Sequence, residues 1–273
     1  VSLRVHFLNG GHCRHLLASI DGRTFRTVQF HAVLLAIEHP SLGWIVCDTG
    51  YGGRFLAATS AFPSRLYRWA TPVSDNLPAT SALARIGLHP ADIRHLIITH
   101  FHADHIGGLR DFPQARVYFH EHALAPLLAL KPFRQTRAAF LPSLLPDDLA
   151  SRSHILPDSA FLPDARLPFR SCDLLGDSLL KAVFLPGHAP GQIGLEFTDT
   201  AARERPTLYC ADAFWRSEQL LNNINLPRLT RSLQWDGPSY LSTINHLRTL
   251  ARADTHRLLA CHDDITQRHV APS

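Results

Sequence analysis

The chain has 273 residues and a mass of 30.4 kDa, and 45% of them are hydrophobic, enough for a sizeable core in one large domain or two small ones. The net charge of +4 and pI near 9.0 rest on 25 arginines against 2 lysines. These are spread along the chain without a nucleic-acid-binding motif, which disfavours a nucleic-acid partner and leaves a solvated surface with a mild bias toward anionic substrates.

Residues 3–8 alternate as a half-buried strand, and Asn9-Gly10-Gly11 predicts a turn. His12, Cys13 and His15 then read as a polar rim on a loop, with substrate contact as the functional alternative. Residues 27–37 read as a long strand, and 43–48 as another that ends in a turn at Asp48-Thr49-Gly50. Residues 51–77 are rich in aromatics, with Tyr51, Phe55, Phe62, Tyr67 and Trp69, and suit either a short helix packed on the body or a wall of a substrate site. A helix over 81–88 is followed by a break at His89-Pro90.

The apolar run Leu96-Ile97-Ile98 leads into Thr99-His100-Phe101-His102-Ala103-Asp104-His105-Ile106-Gly107-Gly108-Leu109, a strand that enters a tight turn opening a helix. Three imidazoles and a carboxylate within six residues suit a borderline metal such as zinc, and their order at a strand end is not what 18 scattered histidines would give. Beyond this, 116–119 is a strand, 121–130 a helix, and 131–168 a segment with six prolines, Phe133, Phe140 and Phe161, which is neither a polar linker nor a regular element. Strands over 179–185, 194–198 and 207–210 precede a helix capped at Asp236-Gly237-Pro238 and running to about Ala253, and 257–260 is the last strand. The five cysteines show no C-x-x-C pairing, so Cys47, Cys210 and Cys261 read as small buried residues of a reducing compartment. No run nears the ~18–20 apolar residues of a membrane span, and no export signal is present, so a cytoplasmic location is expected. The chain starts at Val1 and contains no Met, which leaves a trimmed start open.

The stretch 99–109 is similar to the signature of the metallo-β-lactamase fold hydrolases. Pro186-Gly187-His188-Ala189-Pro190-Gly191, Tyr209-Cys210-Ala211-Asp212 and Ala260-Cys261-His262-Asp263 look like the later elements that complete that family's two-metal site. The resemblance spans about residues 3–262 and implies an α+β fold, a four-layer αββα sandwich, as a single domain over 1–273. It implies His100, His102 and His188 on one divalent ion, Asp104, His105 and His262 on a second, and Asp212 bridging them, with zinc by default and iron or manganese as alternatives. Asp104 and Asp212 are the catalytic carboxylates in this reading, Asp104 orienting or taking a proton from the attacking water, and Asp48 supports the ligand histidines from behind. The insertion at 131–168 resembles a substrate lid, with a sheet covering or a homodimer contact as the other reading.

A bridging Asp212 argues against opening of β-lactam antibiotics, and His102 stands where flavodiiron oxygen reductases carry Glu. The ending Cys-His-Asp-Asp-Ile-Thr-Gln at 261–267 looks most like N-acyl homoserine lactonases, so a small-molecule lactone or ester is the expected substrate. One departure is Trp215, where those lactonases commonly place a Tyr; an indole N–H donates a hydrogen bond but is no acid. Trp215, Tyr51, Phe133 and Phe140 are the expected substrate contacts. A glyoxalase II-like thioesterase, which would draw on arginines between 54 and 68, and a non-catalytic regulatory binding protein are the alternatives.

Overall fold

Short apolar runs whose successive side chains point to opposite faces build two sheets in the computed structural model, which describes residues 2–202 and 205–270. The first sheet contains β1 (Arg4–Leu16), β2 (Thr27–His39), β3 (Gly43–Cys47), β4 (Val73–Asp75), β5 (Ile93–Ile97), β6 (Arg116–His120) and β7 (Ser153–Leu156) in the order β4-β1-β2-β3-β5-β6-β7. The second contains β8 (Leu162–Pro163), β9 (Arg170–Asp173), β10 (Leu180–Phe184), β11 (Ile193–Phe197), β12 (Thr207–Tyr209) and β13 (Arg257–Leu259) in the order β13-β12-β11-β10-β9-β8.

Strand β2 explains the layering. Val33, Leu35 and Ile37 enter a core shared with Ile193, Leu195 and Tyr209 of the second sheet, while Leu34 and Ala36 join a second core with Ala79 and Leu83 of the helix Ala79–Ala84. Both faces are covered, so the strand carries a near-continuous apolar run instead of alternation. Tyr209 Oη donates to the Val33 carbonyl (3.0 Å) and ties the sheets together. On the far side, Val183, Leu185 and Leu208 share their core with Tyr240, Ile244 and Leu247 of the helix Gly237–Ala253. That helix begins as expected, with Asp236 accepting from Ser239 N (3.2 Å) and Pro238 in its first turn. Helix, sheet, sheet, helix is the expected αββα sandwich.

Three local expectations change. Asn9-Gly10-Gly11 does not turn the chain but forms a register shift within β1, so His12, Cys13 and His15 lie on a strand, not a loop. Gly10 is needed there for contact, because a Cβ would sit 2.6 Å from the Ala32 oxygen and 2.7 Å from Gly50 Cα. The helix expected over 121–130 shrinks to Ala125–Leu128, with Pro126 in its first turn and His120 Nδ1 accepting from His122 N (3.1 Å) in the preceding turn. The 131–168 segment is only partly an insertion: after the helices Pro132–Arg137 and Leu149–Arg152 it supplies β7 to one sheet and β8 to the other. No described helix is long and apolar enough to cross a membrane.

Candidate metal centre

Every candidate ligand follows a strand end. Asp48 leaves β3, His100 and His102 leave β5, and the short helix Ala103–Ile106 carries Asp104 and His105. His188 follows β10, Asp212 follows β12 and His262 follows β13. The helix is seated by Gly107, where a Cβ would fall 1.8 Å from the Tyr51 oxygen, so Gly-Gly after the ligands is a packing requirement.

The seven residues form two groups, His100, His102, His188 and Asp212, and Asp104, His105, Asp212 and His262, with the ligand atoms of each group all within 4.8 Å of one another. Asp212 belongs to both: its Oδ2 lies 2.8 Å from His262 Nε2 and 3.3 Å from His188 Nε2, and its Oδ1 3.4 Å from His105 Nε2. Asp104 Oδ2 stands 3.6 Å from His105 Nε2 and 3.7 Å from His262 Nε2. His100 Nε2, His105 Nε2 and Asp212 Oδ1 are buried with no hydrogen-bond partner, which a folded interior does not tolerate without a further group. Imidazole nitrogens and carboxylate oxygens converging from three sides fit divalent cations.

The outward nitrogens explain why the inward ones are free to bind. Asp48 Oδ2 accepts from His105 Nδ1 (2.8 Å), the His31 carbonyl from His262 Nδ1 (2.6 Å), and Gln234 Oε1 from His188 Nδ1 (2.8 Å). Thr99 Oγ1 donates to Asp48 Oδ2 (2.8 Å) and lies 3.1 Å from His100 Nδ1. Each contact holds its ring with Nδ1 outward and Nε2 toward the centre, where Nε2 would present its electron pair to a metal. Burial and the neighbouring imidazoles hold His100 and His102 well below the ordinary imidazole range, in the neutral form a metal binds. Against the burial that alone would raise it, His262 and His105 hold the Asp212 carboxyl well below its ordinary value.

The centre forms the floor of a cavity of about 530 Å³. Trp215, Tyr51 and Phe133 line it, with Tyr51 buried and Phe133 exposed at the mouth. Phe140 does not: it is fully buried in the core, because the chain reverses at Ala139 (φ 52°) and turns its side chain inward. His15 lines the cavity through an edge-on contact with Phe30, whereas His12 pairs with His31 across the strands and lies outside the lining. Tyr67, Leu66 and Ala70 from the helix Arg65–Ala70 make one wall, so the 51–77 loop is both a packed helix and a cavity wall. Sequence reasoning missed Gln234 and the His31 carbonyl, which carry no spacing signal, and Thr99, which stood inside the motif. Cys13 also lines the cavity, but burial pushes its thiol up to about 11, so it is no nucleophile at neutral pH. Cys210 Sγ donates to the Leu208 carbonyl (3.4 Å) and is not among the converging ligands.

The family model described as the metallo-beta-lactamase superfamily matches residues 31–262. A probable metallo-hydrolase of Mycobacterium tuberculosis is 28% identical over 204 residues, 70% of this chain and 59% of that protein. The N-acyl homoserine lactonase AttM of Azorhizobium caulinodans is 28% identical over 184 residues, 65% of this chain and 61% of its own. This chain thus spans about three fifths of the length of these curated relatives. Among solved structures, an N-acyl homoserine lactone hydrolase with the product N-hexanoyl-L-homoserine at its metal centre superposes with a TM-score of 0.71 at 16% identity, covering 99% of this chain and 98% of that one. AidC, described as a dizinc quorum-quenching lactonase, superposes with a TM-score of 0.68 at 16% identity over 96% and 87% of the two chains.

Proposed function

Since this chain belongs to the metallo-β-lactamase superfamily, we propose that it is a binuclear metal-dependent hydrolase that opens lactones, with N-acyl homoserine lactones as the preferred class and zinc as the preferred metal. The observation that carries the reading is the pair of ligand groups sharing Asp212 on a cavity floor. When bound, two divalent ions supply Lewis-acid polarisation and an ionised water at neutral pH. The chain's own part follows from its side chains. Asp104, which lines the cavity beside both ligand groups, accepts the proton of the attacking water and returns it to the leaving oxygen. Leu66, Phe133, Leu229 and Leu233 give an apolar wall that takes an acyl chain, and Trp215 closes the side above His188 and His262.

The thioesterase reading draws no support from the arginines it needs. Arg54 pairs with Asp111, and none of Arg54, Arg65 and Arg68 lines the cavity. The test is turnover of a panel of N-acyl homoserine lactones, simple esters and acyl thioesters by the purified, metal-loaded chain, before and after a chelator. Lactone opening that is lost with the metal and restored by zinc is expected; turnover indifferent to the chelator, or thioesters hydrolysed faster than lactones, overturns it.

The cavity mouth makes a second expectation. Phe133→Ala should raise KM for long acyl chains more than for short ones, by about tenfold if two methylenes lose their contact at ~0.8 kcal/mol each. Phe140→Ala should instead leave the chain-length preference intact and lower stability by about 3–5 kcal/mol, as cavity creation in a core does. Denaturant titration beside a chain-length series separates the two.

A further inference from the structure

The cavity mouth is framed by three segments that hydrolysis does not explain. Residues 49–74, 122–146 and 219–235 contain no Asp or Glu at all. They meet in space: Leu66 and Thr71, Phe133 and Thr136, and Leu229 and Leu233 line the same cavity, the helices Arg65–Ala70 and Pro132–Arg137 pack together, and Arg137 Nη2 donates to the Ser232 carbonyl (3.4 Å). Their apolar side chains project outward, with Phe62 74%, Trp69 68%, Phe133 58%, Leu229 78% and Leu233 54% exposed. Interleaved with them are Arg65, Arg68, Lys131, Arg134, Arg137 and Arg228, none with a carboxylate partner among the described residues. Other surface arginines, among them Arg110, Arg152, Arg166, Arg170 and Arg257, hold an Asp or Glu; what sets this face apart is that its cations lie among large exposed apolar side chains in segments without acids.

We propose that this face docks on an anionic lipid surface, with the aromatic and leucine side chains in the headgroup boundary and the unpaired cations on lipid phosphates. Large exposed apolar side chains gathered on one face mark a contact surface, and Trp with Arg and Lys is the composition that settles at a bilayer boundary. Charge decides the partner. A second copy of the chain would set unpaired cations against cations, and a nucleic acid would leave Phe62, Trp69 and Leu229 without apolar surroundings. An anionic bilayer answers both halves at once. The cavity mouth then opens onto the leaflet, so an amphiphilic substrate held there enters head-first, its tail trailing along the apolar wall without crossing water. The proposal concerns docking and holds whichever bond the centre cleaves.

The test is co-sedimentation of the full metal-loaded chain with vesicles of phosphatidylcholine alone and of phosphatidylcholine with phosphatidylglycerol. Binding to the phosphatidylglycerol vesicles, weakened by high salt, is expected. Arg68→Glu with Arg134→Glu should lower the partition coefficient at least about tenfold, and Trp69→Ser several-fold. None of the three lines the cavity, so thermal midpoint and turnover of a short soluble substrate should match the parent. Equal partition onto both vesicles, salt-insensitive partition, or unchanged partition of the double variant overturns the proposal. So does a chain that ignores vesicles but forms a dimer that Trp69→Ser disrupts, or one that binds DNA in preference to phosphatidylglycerol.

Discussion

Asp212→Asn is expected to reduce the metal content from two ions per chain to one or none, and hydrolysis by more than about a hundredfold, the upper end of what outer partners of a metal contribute. Asp212 is the one side chain in both ligand groups, with one oxygen toward His105 and the other toward His188 and His262. Two cations sharing one carboxylate would repel strongly in a dry site, and that carboxylate is the charge that offsets this. Asn keeps one oxygen, loses the charge, and offers an amide N–H that hydrogen-bonds an imidazole Nε2, closing the site without a metal. The fold should survive, because the sandwich core is built from residues such as Val33, Leu195 and Tyr209 rather than from this side chain. Cys210→Ser, in the same connection after β12, is the control: its Sγ bonds only the Leu208 carbonyl, so both metals should remain. Elemental analysis with circular dichroism decides; two metals and near-parental turnover in Asp212→Asn would remove the bridge and with it the roles given to His188 and His262.

The convergence of these two ligand groups was legible in the sequence because the neighbours of each ligand in the chain were. An apolar strand leading into His100, His102, Asp104 and His105 suits a metal site, and the later candidate ligands each follow another apolar run that becomes β10, β12 or β13. What failed were inferences from residue type without position. Gly10 and Gly11 suit a turn equally well, and only the approach of Ala32 and Gly50 shows that close contact is what Gly10 serves. Phe133 and Phe140 have the same composition around them, yet one is on the cavity mouth and the other in the core, a difference set by the backbone at Ala139. Gln234 and the His31 carbonyl reach their histidines from elements 46 and 231 residues away, distances over which no local pattern carries a signal. The cationic mouth was half hidden: the acid-free segments can be read in the sequence, but only the fold brings the three of them together at the cavity.

Asp48→Asn should weaken the second metal by about 10–100-fold and the first by less. Asp48 sits at φ 60°, a conformation Asn adopts readily, so the backbone is not disturbed. Its Oδ1 accepts from Thr99 N (2.9 Å), and Asn can preserve that contact. The remaining atom toward His105 Nδ1 then changes from a carboxylate oxygen that accepts to an amide nitrogen that donates. A donor facing Nδ1 drives the imidazole proton to Nε2, the atom that must present an electron pair to the second group. The first group is touched less directly: His188 keeps Gln234, and His100 feels the change only through Thr99 Oγ1, which gives up its bond to Asp48 Oδ2. Asp48→Ala should behave differently, since it also strands the buried Thr99 N–H and so lowers stability by about 1–3 kcal/mol. Chelator competition that resolves the two affinities is the measurement. If Asn at 48 held both metals as tightly as the parent while Ala lost one, the carboxylate would be acting by filling space and pairing Thr99, and the tautomer argument for His105 would have to go.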